Sequence, residues 1–227
     1  MRSAWWQRLP SSQRREYERS TSISHLAVTP GADFASAVDR VDGALRADDR
    51  DATRAAAQRL VNLVCDRLRL PAVAVLVEGM RPHDRRGELH GLYSPAGGSG
   101  HDRITVWMRT AKRREVVATR TFLRTLLHEV CHHVDFFHLD LPNSFHTPGF
   151  YQRESSLFRV VTRGTALAVG RGPSARRAGP GSAASAPPAA AEAPAEPRGG
   201  PSGIEMLRAV AAAITARQKA GQYKPGS

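Results

Sequence analysis

The chain has 227 residues, of which 41% are hydrophobic and 24% charged, a composition typical of a globular domain with extensions. No apolar run approaches the ~20 residues that span a bilayer, the first 20 residues lack the apolar core of a secretory signal, and two cysteines cannot form a disulfide framework. We therefore expect a cytoplasmic protein that makes no membrane contact. The formal net charge is +12, and arginine supplies almost all of it, because the chain has only three lysines.

Hydrophobic spacing predicts helices first, then strands, then helices again. Two stretches with apolar residues at helical spacing predict the first two helices, and Pro71 ends the second of them. Runs that are β-branched or that alternate between apolar and polar residues come next and predict strands. The predicted elements are helices over 33–47 and 50–69, strands over 72–78, 87–93 and 103–110, and a helix over 115–138. In the last of these strands, Ile104, Val106 and Met108 alternate with a polar face of Arg103, Thr105, Trp107 and Arg109, which predicts a half-buried strand. A further helix should begin after Thr147, a good N-cap, with Pro148 at its first position. This order predicts an α+β domain.

The helix predicted over 115–138 contains the sequence His128-Glu129-Val130-Cys131-His132. Residues four apart lie on one helix face, so His128 and His132 can offer two imidazole nitrogens to one ion, and imidazole suits Zn²⁺. Glu129 lies ~100° away around the helix and can reach a water molecule beside the ion without binding the ion. This H-E-x-x-H pattern predicts zinc-dependent hydrolysis of peptide bonds, with Glu129 as general base and acid and a protein or peptide as substrate.

The alternative interpretation of this motif is a charged helix face whose histidines bind nothing. Three observations favour the metal site. The motif lies within an apolar-periodic helix, a strand rich in apolar residues precedes it, and five of the nine histidines fall between residues 128 and 146. A non-catalytic metal-binding domain and a basic nucleic-acid-associated protein remain as alternative functions.

A catalytic zinc needs a third protein ligand, and three residues are candidates from spacing alone. His138 continues the motif as H-E-x-x-H-x-x-D-x-x-H, Glu154 falls on the next predicted helix, and His146 comes directly before that helix. Glu154 is also a candidate for orienting a ligand rather than binding the metal.

Other residues of the motif helix receive simpler predictions. We expect Cys131 to pack in the core and His133 to lie at the surface, since it points away from the face of the two histidines. Asp135 is either a carboxylate that orients a ligand imidazole or a solvated charge. On the preceding strand, Tyr93 and His90 are candidate donors to the oxyanion of the reaction, although an ordinary strand role is the simpler interpretation.

The stretch from about Gly91 to Leu157 resembles the SprT-like zinc metallopeptidase domain, the group that includes Spartan. The H-E-x-x-H residues correspond to its zinc-binding helix, and His146, Pro148 and Phe150 match its third-histidine motif. Thr147 and Gly149 depart from that motif, where the family usually has Gly and Glu. The resemblance implies a zincin-like fold with a small sheet packed on the motif helix, Zn²⁺ bound by His128, His132 and His146, and DNA-bound protein as a substrate class.

Composition divides the chain into four parts. Of residues 170–203, 28 are Gly, Pro, Ser or Ala and none is Leu, Ile, Val or aromatic, so we expect a disordered linker. After it, Ile204, Leu207, Val210 and Ile214 recur at helical spacing. The predicted parts are an N-terminal extension (1–29), the zincin-like domain (30–169), the linker (170–203), and a short amphipathic helix with a tail (204–227).

The positive charge is spread unevenly over these parts. Residues 1–169 contain 25 basic and 18 acidic residues, a net +7, so the linker and tail carry the other five charges. A basic cluster precedes the H-E-x-x-H motif and consists of Arg103, Arg109, Lys112, Arg113, Arg114, Arg120 and Arg124. Such a cluster indicates either proximity to the phosphates of DNA or a solvated arginine-rich face, and the scarcity of lysine favours the second.

Overall fold

A computed structural model of the chain describes Trp6 and residues 8–84, 87–96 and 102–167. The architecture is mixed α+β, with five helices, a three-stranded sheet and a short two-stranded ribbon in the described part. In chain order the elements are α1 (Ser11–Ser22), α2 (Ala32–Arg46), α3 (Arg50–Leu68), β1 (Ala74–Met80), β2 (His83–Asp84), β3 (Gly87–Glu88), β4 (Gly91–Ser94), β5 (Arg103–Arg109), α4 (Thr119–Phe137) and α5 (Pro148–Val161). The predicted linker (170–203) and terminal helix (204–227) lie outside the described residues.

Helices α2 and α3 confirm the first two predicted helices to within one residue at each end. The Asp49 side chain caps α3 by accepting a hydrogen bond from the backbone N–H of Ala52, at 2.9 Å. Arg69 ends the helix in the left-handed conformation. The two helices pack against each other, and α3 also packs on β1. Among the described residues, no helix has the length and apolar character needed to cross a membrane.

The three-stranded sheet has the order β1-β5-β4, with β5 parallel to β1 and antiparallel to β4. Ile104, Val106 and Met108 of β5 are buried, which confirms the predicted inward face. Trp107, predicted to lie on the polar face, is buried as well, at a position paired with Glu78 of β1. The strand predicted over 87–93 is divided into β3, in the ribbon, and β4, at the edge of the sheet.

Helix α4 carries the H-E-x-x-H motif and packs on β4 and β5. It begins four residues after the predicted start, because Val116 forms a β-bridge with Arg109 and keeps that segment extended. Leu123, Leu127 and Val130 are fully buried, as the apolar periodicity predicts. This packing leaves the histidines of the motif on the side of α4 that faces α5.

Helix α5 begins where its capping residues predict. The Thr147 hydroxyl accepts a hydrogen bond from the Phe150 N–H at 3.1 Å, and Pro148 occupies the first helical position. The loop that joins α4 to α5 therefore ends at a defined point, one residue after His146.

Helix α1, within the predicted N-terminal extension, packs on α5. The Arg153 guanidinium of α5 donates hydrogen bonds to the carbonyl oxygens of Ser20 and Ile23, at 2.8 and 2.7 Å. The Tyr17 ring lies 5.8 Å from the Phe145 ring, centroid to centroid. The C-terminal end of α1 thus lies against the start of α5 and the loop that precedes it.

Candidate metal centre

Three histidines from two parts of the chain meet between α4 and α5. His128 and His132 lie one turn apart on α4, and His146 lies in the loop before α5. The Nε2 atom of His146 is 3.2 Å from Nε2 of His128 and 3.1 Å from Nε2 of His132. All the candidate ligand atoms of the group lie within 4.8 Å of one another. These three side chains are therefore close enough to hold one metal ion.

The other two candidates for the third ligand lie elsewhere. His138 is exposed at the C-terminal end of α4 and is not part of the histidine group. Glu154 lies behind His128, where its Oε2 atom is 3.1 Å from the His128 Nδ1 atom. Its Oε1 atom accepts a hydrogen bond from Arg124 at 3.2 Å. The carboxylate thus contacts the outer nitrogen of His128, meaning the ring nitrogen that is not next to the other histidines, and it does not join the histidine group.

The loop between α4 and α5 is held in place by contacts with its own backbone and with α1. The Leu141 N–H donates to the Asp135 carbonyl at 2.7 Å, and the Ser144 N–H donates to the Leu141 carbonyl at 2.9 Å. The side chain of Glu16, on α1, accepts a hydrogen bond from the Asn143 N–H at 2.6 Å. The loop that presents His146 is therefore tied to both helices.

His132 also has an outer partner, which the sequence did not identify. Its Nδ1 atom is 2.7 Å from the Ser144 hydroxyl, and that hydroxyl donates to Asp135 Oδ2 at 2.9 Å. Arg153 in turn donates to both oxygens of Asp135, at 2.9 and 3.1 Å. Asp135 is completely buried, so it is not the solvated charge that sequence analysis also allowed.

The prediction that His133 lies at the surface is wrong, since the structure buries it completely. Its Nδ1 atom is 3.1 Å from the Tyr93 hydroxyl, and its Nε2 atom is 2.9 Å from the Pro71 carbonyl oxygen. The reason is that β4 and the segment after α3 both pack on this side of α4. Cys131 is buried as predicted. Both His133 and Tyr93 therefore connect α4 to the sheet.

Glu129 is buried beside the histidines, against strand β4. The Tyr93 backbone N–H donates a hydrogen bond to its carboxylate. Its Oε2 atom is buried and has no hydrogen-bond partner among the described residues. Burial raises the pKa of Glu129 to about 7, although the nearby His128 and the Tyr93 N–H lower it. The carboxyl group can therefore both accept and release a proton near neutral pH.

The environment of the histidines favours their neutral forms at two of the three positions. Burial, together with His128, lowers the pKa of His146 to about 3. Burial and the two neighbouring histidines hold the pKa of His132 well below its usual value. Burial also acts to lower the pKa of His128, but the hydrogen bond with Glu154 and the surrounding carboxylates outweigh it and raise that pKa. Neutral imidazoles are the form that binds metals.

The predicted basic cluster is partly engaged within the chain. Arg109 pairs with Asp48, and Arg124 pairs with Glu154. Arg120 donates to the Leu167 carbonyl oxygen. Lys112 and Arg113 are exposed. Three members of the cluster thus have partners within the chain, and proximity to DNA stays a prediction.

Comparison of the chain with models of protein families, with curated proteins and with solved structures found no match.

Proposed function

We propose that the protein is a zinc-dependent metallopeptidase of the zincin type, similar to the SprT-like domains, with Zn²⁺ bound by His128, His132 and His146. The observation that carries the proposal is the convergence of three Nε2 atoms beside a buried glutamate whose Oε2 atom has no partner in the described part of the chain. The mixed α+β fold, with a small sheet packed on the motif helix, is compatible with this class.

The spacing of the nitrogens fits Zn²⁺. Two nitrogens bound to one tetrahedral zinc at ~2.05 Å lie ~3.3 Å apart. The two distances from His146 Nε2 to the other Nε2 atoms are 3.2 and 3.1 Å, so only small shifts are needed to reach that spacing. A set of three imidazoles also matches the ligands of catalytic zinc, which keeps one coordination position for water or substrate.

The chemistry of the chain's own residues follows from their positions. When bound, Zn²⁺ acidifies a water molecule and polarises the carbonyl group of a peptide bond. Glu129 accepts a proton from the attacking water through its free oxygen. As the C–N bond breaks, Glu129 returns this proton to the leaving amine nitrogen.

The experiment that tests this function uses the full chain loaded with one equivalent of zinc and fluorescein-labelled casein as substrate. We expect bound zinc by mass spectrometry of metals and measurable hydrolysis by the wild type. Glu129→Gln should retain zinc and lose 100-fold or more of the rate, since it removes the general base. Glu115→Gln, on an exposed residue, is the matched control and should change neither.

Two results would contradict the proposal. If the wild type binds no zinc, the metal site is wrong. If zinc binds but Glu129→Gln hydrolyses casein as fast as the wild type, hydrolysis does not use this site. Zinc binding without hydrolysis would instead favour the non-catalytic metal-binding alternative.

A further inference from the structure

We infer that Asp135 and Ser144 are positioning residues that hold His132 in the tautomer with its proton on Nδ1. This tautomer leaves the Nε2 lone pair directed at the other histidines. The inference rests on the proposed metal site, because it assigns a purpose to the Nδ1 atom of His132, one of the proposed ligands. Neither Ser144 nor Arg153, which holds Asp135, belongs to the H-E-x-x-H motif.

The direction of each hydrogen bond follows from the chemistry of its partners. A carboxylate paired with arginine can only accept, so the single proton of the Ser144 hydroxyl is donated to Asp135. The hydroxyl can then only accept from His132, whose Nδ1 atom lies 2.7 Å away. A neutral imidazole with its proton on Nδ1 has its lone pair on Nε2. That Nε2 atom is the one that lies 3.1 Å from His146.

Arg153 fixes the direction of donation in these hydrogen bonds. Its guanidinium has donors only, and its side chain, like that of Asp135, is completely buried. On its other side it donates to the carbonyl oxygens of Ser20 and Ile23 at the end of α1, the end of a helix that favours a cation. The series of hydrogen bonds therefore runs from the C-terminal end of α1 to a metal-binding nitrogen, with each donor fixed by the previous one.

Asp135→Asn gives the sharpest test, because it should reverse the series. Because Arg153 cannot accept a hydrogen bond, the asparagine must direct its carbonyl oxygen at Arg153. The NH₂ group of the asparagine then faces Ser144. Ser144 then accepts from Asn and donates its own proton to His132 Nδ1. The His132 proton must move to Nε2, the position that the metal requires. Ser144→Ala removes the partner of Nδ1 without disturbing the pair of Asp135 with Arg153.

The tautomer can be measured by long-range ¹⁵N–¹H correlation NMR on the metal-free full chain, where a protonated ring nitrogen and a bare one have clearly separate ¹⁵N shifts. We expect His132 of the wild type to have a protonated Nδ1 and a bare Nε2. Asp135→Asn should exchange these two assignments, and Ser144→Ala should give a mixture of both tautomers. Exposed His138 serves as an internal reference in every sample.

Zinc affinity provides the second readout. We expect 10–100-fold weaker binding for Asp135→Asn and for Ser144→Ala, the loss typical when an outer partner of a metal ligand is removed. Ser36→Ala, which deletes an exposed hydroxyl on α2, should bind zinc like the wild type. Thermal unfolding of each variant shows whether it is folded at the temperature of measurement.

A wild-type His132 with its proton on Nε2 would overturn the inference. So would a folded Ser144→Ala variant with wild-type tautomer and zinc affinity. Failure of the peptidase proposal gives a different result, namely no hydrolysis of casein by a wild type whose His132 has the expected tautomer. The NMR measurement needs neither metal nor substrate, so the two proposals are tested separately.

Discussion

A Cβ atom added to Gly91 would lie 2.4 Å from the Oε1 atom of Glu129, well inside van der Waals contact. Strand β4 therefore runs past the carboxylate at a distance that only glycine permits, and the backbone N–H of Tyr93, two residues later, donates to the same group. The sheet edge thus sets the position of the proposed general base. Gly91 and Glu129 are 38 positions apart in the sequence, and their close approach predicts a large effect of adding one methyl group at Gly91.

Gly91→Ala should displace the Glu129 carboxylate and lower the rate of casein hydrolysis about 100-fold, since a shift of ~1 Å in a reacting group has an effect of this size. Zinc should remain bound, because the three histidines are unchanged. Gly79→Ala is the control, as an added Cβ at that position meets no atom within 4 Å. Equal rates for the two variants would show that Glu129 tolerates displacement, contrary to its proposed role.

His146→Ala should lower zinc affinity by at least 100-fold, because it removes one of three protein ligands. His138→Ala, on the exposed histidine at the end of α4, should leave the affinity unchanged. Competitive titration with a chromophoric chelator measures both. Loss of zinc from His138→Ala alone would instead support the H-E-x-x-H-x-x-D-x-x-H alternative.

Gly149→Ala should destabilise the fold, since its Cβ would lie 2.1 Å from the Ser20 carbonyl oxygen and 2.9 Å from that of Ile23. We expect a loss of about 1–3 kcal/mol in the free energy of unfolding, measured with urea, as α1 moves away from α5. Gly43→Ala, at an exposed position in α2 with no atom within 4 Å of the new Cβ, should add about 0.5–1 kcal/mol. An unchanged stability of Gly149→Ala would mean that α1 is not docked there.

Cys65 predicts a dependence of stability on alkaline pH. Burial on α3, with a smaller effect of Asp66, raises the pKa of its thiol from an ordinary value near 9 to about 12. Because the folded state resists ionisation, the stability contributed by this thiol is complete below pH 9 and is lost as the pH rises from 9 towards 12. Between pH 8 and pH 10.5, wild type should lose about 1–2 kcal/mol more than Cys65→Ala in urea unfolding. Identical losses would show that Cys65 ionises freely.

Much of the local structure was predictable because it depends on neighbours in the chain. The apolar periodicity of α3 acts over a few residues, and the helix is present as expected. The same holds for Thr147 and Pro148, which define the start of α5. Helical spacing also put His128 and His132 on one face without reference to any other element.

The predictions that failed concern the surroundings of a side chain. His133 was assigned to the surface because it leaves the face of the motif, but β4 and the segment after α3 cover that side of α4. Trp107 was assigned to a polar face, but the structure buries it. Periodicity reports which residues share a face, and it does not report how many faces the fold will cover.

The sequence by itself determined the motif, its helix and the pair of histidines one turn apart, because these depend on spacing within a single element. Only the tertiary structure decided that His146, rather than His138, joins them, and that Glu154 and Ser144 bind their outer nitrogens. It also decided that Glu16 of α1 supports the loop and that Arg153 of α5 binds the end of α1. These contacts join residues 12 to 133 positions apart, and no local preference encodes them. They form because the packing of α1, α4 and α5 buries polar groups that must then find partners.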